Sequence, residues 1–173
     1  MNKGFAHGLK VDRIYDGQRI AVVADEAERA AIASRLELDR IDRLEAHATL
    51  TRDGDVIRAE GRLAAALAQR CVITDEPVAA HVDEPFTLEF RPEPEARGPE
   101  DEIELGQNEL DTIFYDGAII DLGAAVADTL ALSLDPFPRS AGADAALKEA
   151  GVMSEAEASP FAVLAALRRG DES

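Results

Sequence analysis

A single cysteine, no tryptophan, few aromatics and a shortage of positive charge set the first limits on this chain. Cys71 has no second cysteine to pair with, which excludes an internal disulfide and any metal cage built from several thiolates. A buried, small hydrophobe is its expected state. No apolar run reaches the length of a membrane span, and the N-terminal residues lack the apolar region of a signal peptide, so the expected location is the cytoplasm, with no membrane partner. Eighteen basic residues against thirty-five acidic ones leave a formal net charge of -17, which repels phosphate backbones at long range and suits a solvated surface or a basic partner. No Gly-rich phosphate loop, zinc-ligand spacing or nucleophile motif occurs, which weighs against an enzyme. His7, His47 and His81 form no ligand pair. No metal and no cofactor are expected.

What is present is organised around Tyr115 to Pro138. Asp116-Gly117 is a tight-turn dipeptide. Asp121 caps a helix, its carboxylate accepting from the unpaired N–H groups of the first turn at the positive end of the dipole. Leu122, Ala125, Val126, Thr129, Leu130 and Ser133 then follow at helical spacing as one small and apolar stripe. Pro136 and Pro138 stop the helix near Leu134.

In chain order, Leu9, Val11 and Ile14, then Ile20 to Val23, flank Asp16-Gly17 and predict an N-terminal hairpin. Asp25 with Glu28 three residues on is a capping-box variant that opens an Ala-rich helix running to Leu36. From Leu38 to Phe90 the period turns to two. Leu44, Ala46, Ala48 and Leu50 alternate with polar residues, and Arg52 to Asp55 supplies a turn. In the next strand Ile57, Ala59, Leu63, Ala65, Leu67 and Cys71 point inward while Arg58, Glu60, Arg62 and Arg70 point outward. Propensity alone favours helix over Leu63 to Ala68, but context favours strand. Val78 to Phe90 reads as a third strand with an irregularity at Glu84-Pro85. Arg91 to Glu102, rich in proline and acid, reads as a mobile loop, after which Leu110 to Tyr115 resumes a strand. Ala143 to Ala150 is a short helix closed by Gly151, and Ser159-Pro160 opens a last one. Its apolar edge of Phe161, Leu164 and Leu167 must dock, because so short a helix is not stable alone.

This order predicts an α+β fold: an antiparallel, curled β-sheet or partial barrel with the capped helix packed on it and short helices at the C-terminus. Residues 1–138 form the expected core domain, including the acidic loop 91–102. Residues 139–173 form a C-terminal segment.

Arg58, Arg62 and Arg70 are the best local basic patch, either contacting RNA phosphates or forming a salt-laced outer face, with Glu60 favouring the second. No aromatic stacking platform is evident beside them. Asp116 and Asp121 could serve as acid and base in a small hydrolase or RNA-modifying enzyme, but turn and cap roles account for both at less cost. The Phe161, Leu164, Leu167 edge fits intramolecular packing, with partner docking as the alternative.

Several of these features occur together in one known family. Gln69-Arg70-Cys71 followed by a proline and an apolar strand, Gly117-x-Ile119-Ile120-Asp121-Leu122, the run Leu130 to Pro136, and the closing PFAVLAALRR from Pro160 are shared in order and spacing. In them the chain resembles the bacterial YceD family, the large ribosomal RNA subunit accumulation proteins. The resemblance implies a non-enzymatic role in ribosome biogenesis, supporting accumulation or processing of 23S ribosomal RNA. The implied partner is a ribosomal protein, the assembling large ribosomal subunit or precursor 23S rRNA, and charge favours the protein. The chain departs from family members that carry C-x-x-C, having Ala68 at the first position, and it has Arg139 and Ser140 where others place further cysteines. Metal binding or redox activity is therefore not carried over.

Overall fold

The computed structural model describes residues 5–94 and 112–152. The protein is α+β. In chain order its elements are β1 (Gly8–Lys10), a 3-10 turn (Val11–Arg13), β2 (Gln18–Val23), α1 (Glu26–Arg35), β3 (Arg40–Asp53), β4 (Val56–Arg70), β5 (Pro77–Pro92), β6 (Thr112–Tyr115), β7 (Ile119–Asp121), α2 (Leu122–Leu132) and α3 (Ala143–Glu149).

Two-residue periodicity builds the main sheet. Strands β2-β3-β4-β5-β6 lie in that order, and β1 and β7 form a separate two-stranded sheet. Leu44, Ala46, Ala48 and Leu50 of β3 are buried, as are Ile57, Ala59, Leu63, Ala65 and Leu67 of β4. The Ala-rich end of β4 is a strand because Leu63, Ala65 and Leu67 fall opposite Ala46, Leu44 and Ile41, where cross-strand burial overrides helical propensity. The β3–β4 turn is Gly54-Asp55, between the paired residues Asp53 and Val56. Strand β5 runs unbroken through Glu84-Pro85.

The helices begin where the sequence predicts. Asp25 Oδ1 accepts from the Glu28 N–H at 2.8 Å and Glu28 Oε2 accepts from the Asp25 N–H at 2.8 Å, a complete capping box. Gly117, at φ 75°, takes the turn between β6 and β7, a conformation that costs other residues strain. Leu122, Val126 and Leu130 of α2 are fully buried and join the inner-face residues of the sheet in one core. Each such side chain contributes about 1.5–3 kcal/mol by leaving water.

Other expectations change. The N-terminal hairpin does not form: β1 pairs antiparallel with β7 and β2 pairs with β3. A strand around Leu9 is satisfied equally by any edge that buries it, and the distant Ile120 supplies that edge. The sheet is mixed, because β6 runs parallel to β5. Among the described residues it is also open, with β2 and β6 as its edges, so it does not close into a barrel. Arg91 and Pro92 belong to β5, while residues 95–111, most of the expected loop, lie outside the described residues.

The described residues fall into two compact units, one drawn from Met1–Gln69 and Ala79–Pro136, the other from Arg70–Val78 and Phe137–Ser173. In the second, the Cys71 N–H donates to the Glu76 carbonyl at 2.8 Å and the Val72 N–H to the Pro138 carbonyl at 3.0 Å. There α3 covers the predicted Ala143 helix, and Gly151 follows it.

Candidate functional site

Every residue that β3, β4 and β5 send inward leaves its neighbour on the open face of the sheet. From β4 these are Arg58, Glu60 and Arg62, and the register sets them beside Thr51, Thr49 and His47 of β3. Arg19 of β2 lies opposite Thr49. Because Val82, Phe86, Leu88 and Phe90 of β5 are buried, Asp83, Glu89 and Arg91 face outward. The parallel pairing then puts Phe114 of β6 beside Arg91 on the same face, with its side chain about half exposed at 51%.

Charge on this face is ordered in pairs. Arg62 Nε lies 2.5 Å from Asp83 Oδ1. Arg58 Nη2 lies 3.1 Å from Glu89 Oε2, and Arg91 Nε donates to the other oxygen of the same carboxylate. Glu89 is thus held between two guanidiniums, and the hydrogen bonds from Arg91 and Arg58 hold its carboxyl below the usual carboxylate range, against the opposing effect of burial. Glu60 adds only a longer contact to Arg58, at 3.9 Å. The Arg62–Asp83 pair, exposed on both sides, is worth ~0–1 kcal/mol, whereas the Glu89 carboxylate is only 18% exposed and stays between its two guanidiniums.

Arg58 and Arg62 therefore share a surface, as the sequence predicts. Arg70 belongs to the second unit, where it pairs with Asp75 at 3.2 Å. Arg91 and Phe114 escaped the sequence reading. Their alternation with buried neighbours was visible, but the parallel β5–β6 pairing that joins them was not.

The other candidates take structural positions. Asp121 Oδ1 accepts the N–H of Ala124 at 3.0 Å and that of His7 at 2.9 Å, which commits it to capping α2 and to tying down the N-terminal segment. Asp116 lies exposed before the Gly117 turn, and Leu122 is fully buried. Pro136 is exposed just beyond α2, where Gln69 Nε2 donates to the Asp135 carbonyl at 2.8 Å. Gln69 is a buried polar side chain, and this bond satisfies it. Pro160, Phe161, Leu164 and Leu167 lie outside the described residues.

Cys71 is buried in the second unit, and its Sγ accepts the backbone N–H of Ser140 at 3.2 Å, Thr74 at 3.4 Å and Ile73 at 3.5 Å. Burial pushes the thiol pKa up, but the combined hydrogen bonds from Thr74 and Ser140 outweigh it and bring the value down to about 6. Thr74 Oγ1 also lies 3.0 Å from Ser140 Oγ and donates to Glu76 at 2.9 Å. Among the described residues no three His, Cys, Asp or Glu side chains are grouped to hold a metal. No helix among them is long and apolar enough to cross a membrane.

No curated protein and no solved structure matches the chain. A family model does, over residues 59–168, which takes in β4 from Ala59 onward, the β5–β6 pair, both ends of α2 and the Cys71 segment. That match covers more than half of the chain, and on it the protein belongs to the family of the large ribosomal RNA subunit accumulation protein YceD.

Proposed function

We propose that this chain is a non-enzymatic ribosome-biogenesis factor that supports the accumulation or processing of 23S ribosomal RNA in the cytoplasm. It acts by binding a component of the assembling large subunit, a ribosomal protein or the precursor RNA. Membership of a family described by large-subunit RNA accumulation is the observation that carries this role. Binding is favoured over catalysis because Asp121, the carboxylate at the start of α2, spends an oxygen on two backbone donors. A general base needs that oxygen within reach of a substrate proton. The net charge of -17 suits a basic protein partner, while the guanidiniums of the open sheet face suit phosphates. An assembling subunit offers both.

The test is a mild pull-down of the tagged full chain from growing cells, with and without ribonuclease, reading RNA and proteins. Precursor 23S RNA that disappears together with its proteins on ribonuclease treatment would mean recruitment to an RNA-scaffolded particle. A basic ribosomal protein that stays bound would mean direct acidic-on-basic contact. Recovery of neither would defeat the assembly role.

A further inference from the structure

We propose that Arg58, Glu89, Arg91 and Phe114, at the β6 edge of the open sheet face, form a contact site for single-stranded RNA, a site that presupposes the role in ribosomal RNA accumulation proposed above. Phe114 supplies the surface on which a base stacks, and Arg58 and Arg91 bind the flanking phosphates.

On β6, Tyr115 is buried, and the ring of Phe114 is left half in solvent on the opposite face. A large aromatic so placed has a face to offer, and base–aromatic stacking is tolerant of sequence. Register sets the ring beside Arg91, and Arg91 shares the single Glu89 carboxylate with Arg58. Two guanidiniums therefore hydrogen-bond one carboxylate, with Glu60 touching Arg58 only at 3.9 Å, and a phosphate offers a closer anion to their remaining donors. Glu89 also holds both forks in place, so less side-chain entropy is lost when the remaining N–H donors close on an anion.

The same features select among partners. A ring stacks only on a base that is already unstacked, which favours single strands over duplex. A basic protein would meet guanidiniums of its own sign here, and an acidic peptide would leave the ring without a planar partner. Glu60 and Asp83, on the same face, oppose RNA nearby, and the carboxylates elsewhere on the chain oppose it at long range. At about 0.15 M salt the Debye length of about 8 Å screens the distant ones while leaving direct contacts intact.

Fluorescence anisotropy of the full chain with an unstructured RNA of about 12 nucleotides, and with a matched duplex, tests the site at that salt. The single strand should bind more tightly than the duplex. Phe114→Ala should weaken it roughly tenfold, Phe114→Tyr should restore it, and Tyr15→Ala, which removes another exposed aromatic, should change nothing. Replacing Arg58 and Arg91 together by Gln should flatten the slope of log K against log salt by about 1.4, as two lost single-strand phosphate contacts require. An unchanged denaturation midpoint in each variant shows that the fold is kept. Absence of single-strand binding, equal binding by Phe114→Ala, or a basic ribosomal protein crosslinking to this face would overturn the site. If Phe114→Ala still recovers large-subunit components from cells and binds RNA normally, the site falls and the role stands. If the unaltered chain recovers none, the role itself falls.

Discussion

The carboxylate of Asp121 accepts the backbone N–H of His7, 114 positions earlier, while it caps α2 through Ala124. The same tie is seen at the next residues. His7 O accepts the Leu122 N–H at 3.2 Å, and a Cβ on Gly123 would stand 2.5 Å from Phe5 O. The N-terminal segment and the start of α2 are therefore one hydrogen-bonded unit. Asp121→Ala should destabilise by about 1–2 kcal/mol, because it removes a cap and a long-range tie together. Asp121→Asn, which keeps an acceptor oxygen, should lose less. Chemical denaturation of the two variants checks the order.

Gly61 sits where β4 leaves no room for a side chain. A Cβ there would lie 2.1 Å from His47 O and 2.9 Å from Phe86 Cζ. The ring of Phe86 is buried and the carbonyl belongs to the paired strand, so neither withdraws cheaply. Gly61→Ala should cost about 1–3 kcal/mol by overpacking, read as a lowered denaturation midpoint. A midpoint equal to the parent's would mean that β3 and β4 slide apart more readily than their length suggests.

Tyr115 anchors β6 to the β3–β4 turn, its hydroxyl donating to the Asp55 carbonyl at 2.6 Å. Burial, followed by the nearby Asp55 charge, raises the phenol pKa, so the donor stays protonated at neutral pH. Tyr115→Phe should cost about 1 kcal/mol for that hydrogen bond and should leave the far-ultraviolet circular dichroism unchanged.

Cys71 should make stability depend on pH. Its folded pKa of about 6 lies below the ordinary thiol value, so the thiolate is favoured by folding. The contribution is complete above the unfolded thiol pKa and is lost as pH falls through about 6. Cys71→Ala should therefore be more destabilising in mildly alkaline than in mildly acidic buffer. Thiolate absorbance followed against pH gives the midpoint directly. A midpoint in the ordinary thiol range would mean that the Ser140 and Thr74 donors do not act on the sulfur.

Much of the fold is determined by residues within a few positions of one another. The Asp25–Glu28 capping box, the cap at Asp121, the Gly117 turn and the alternation through β3 and β4 all follow from local hydrogen bonding and two-residue periodicity, which a sequence displays directly. The outward parity of Arg58 and Arg62 belongs to the same class. Only the tertiary structure decides which edges meet. It joins Leu9 to Ile120, runs β6 parallel to β5, and by that pairing brings Phe114 beside Arg91. It likewise brings the Ser140 N–H to the Cys71 sulfur. An apolar strand carries no mark of its neighbour, because burial rewards any partner that covers it, and the choice is made by the whole core at once.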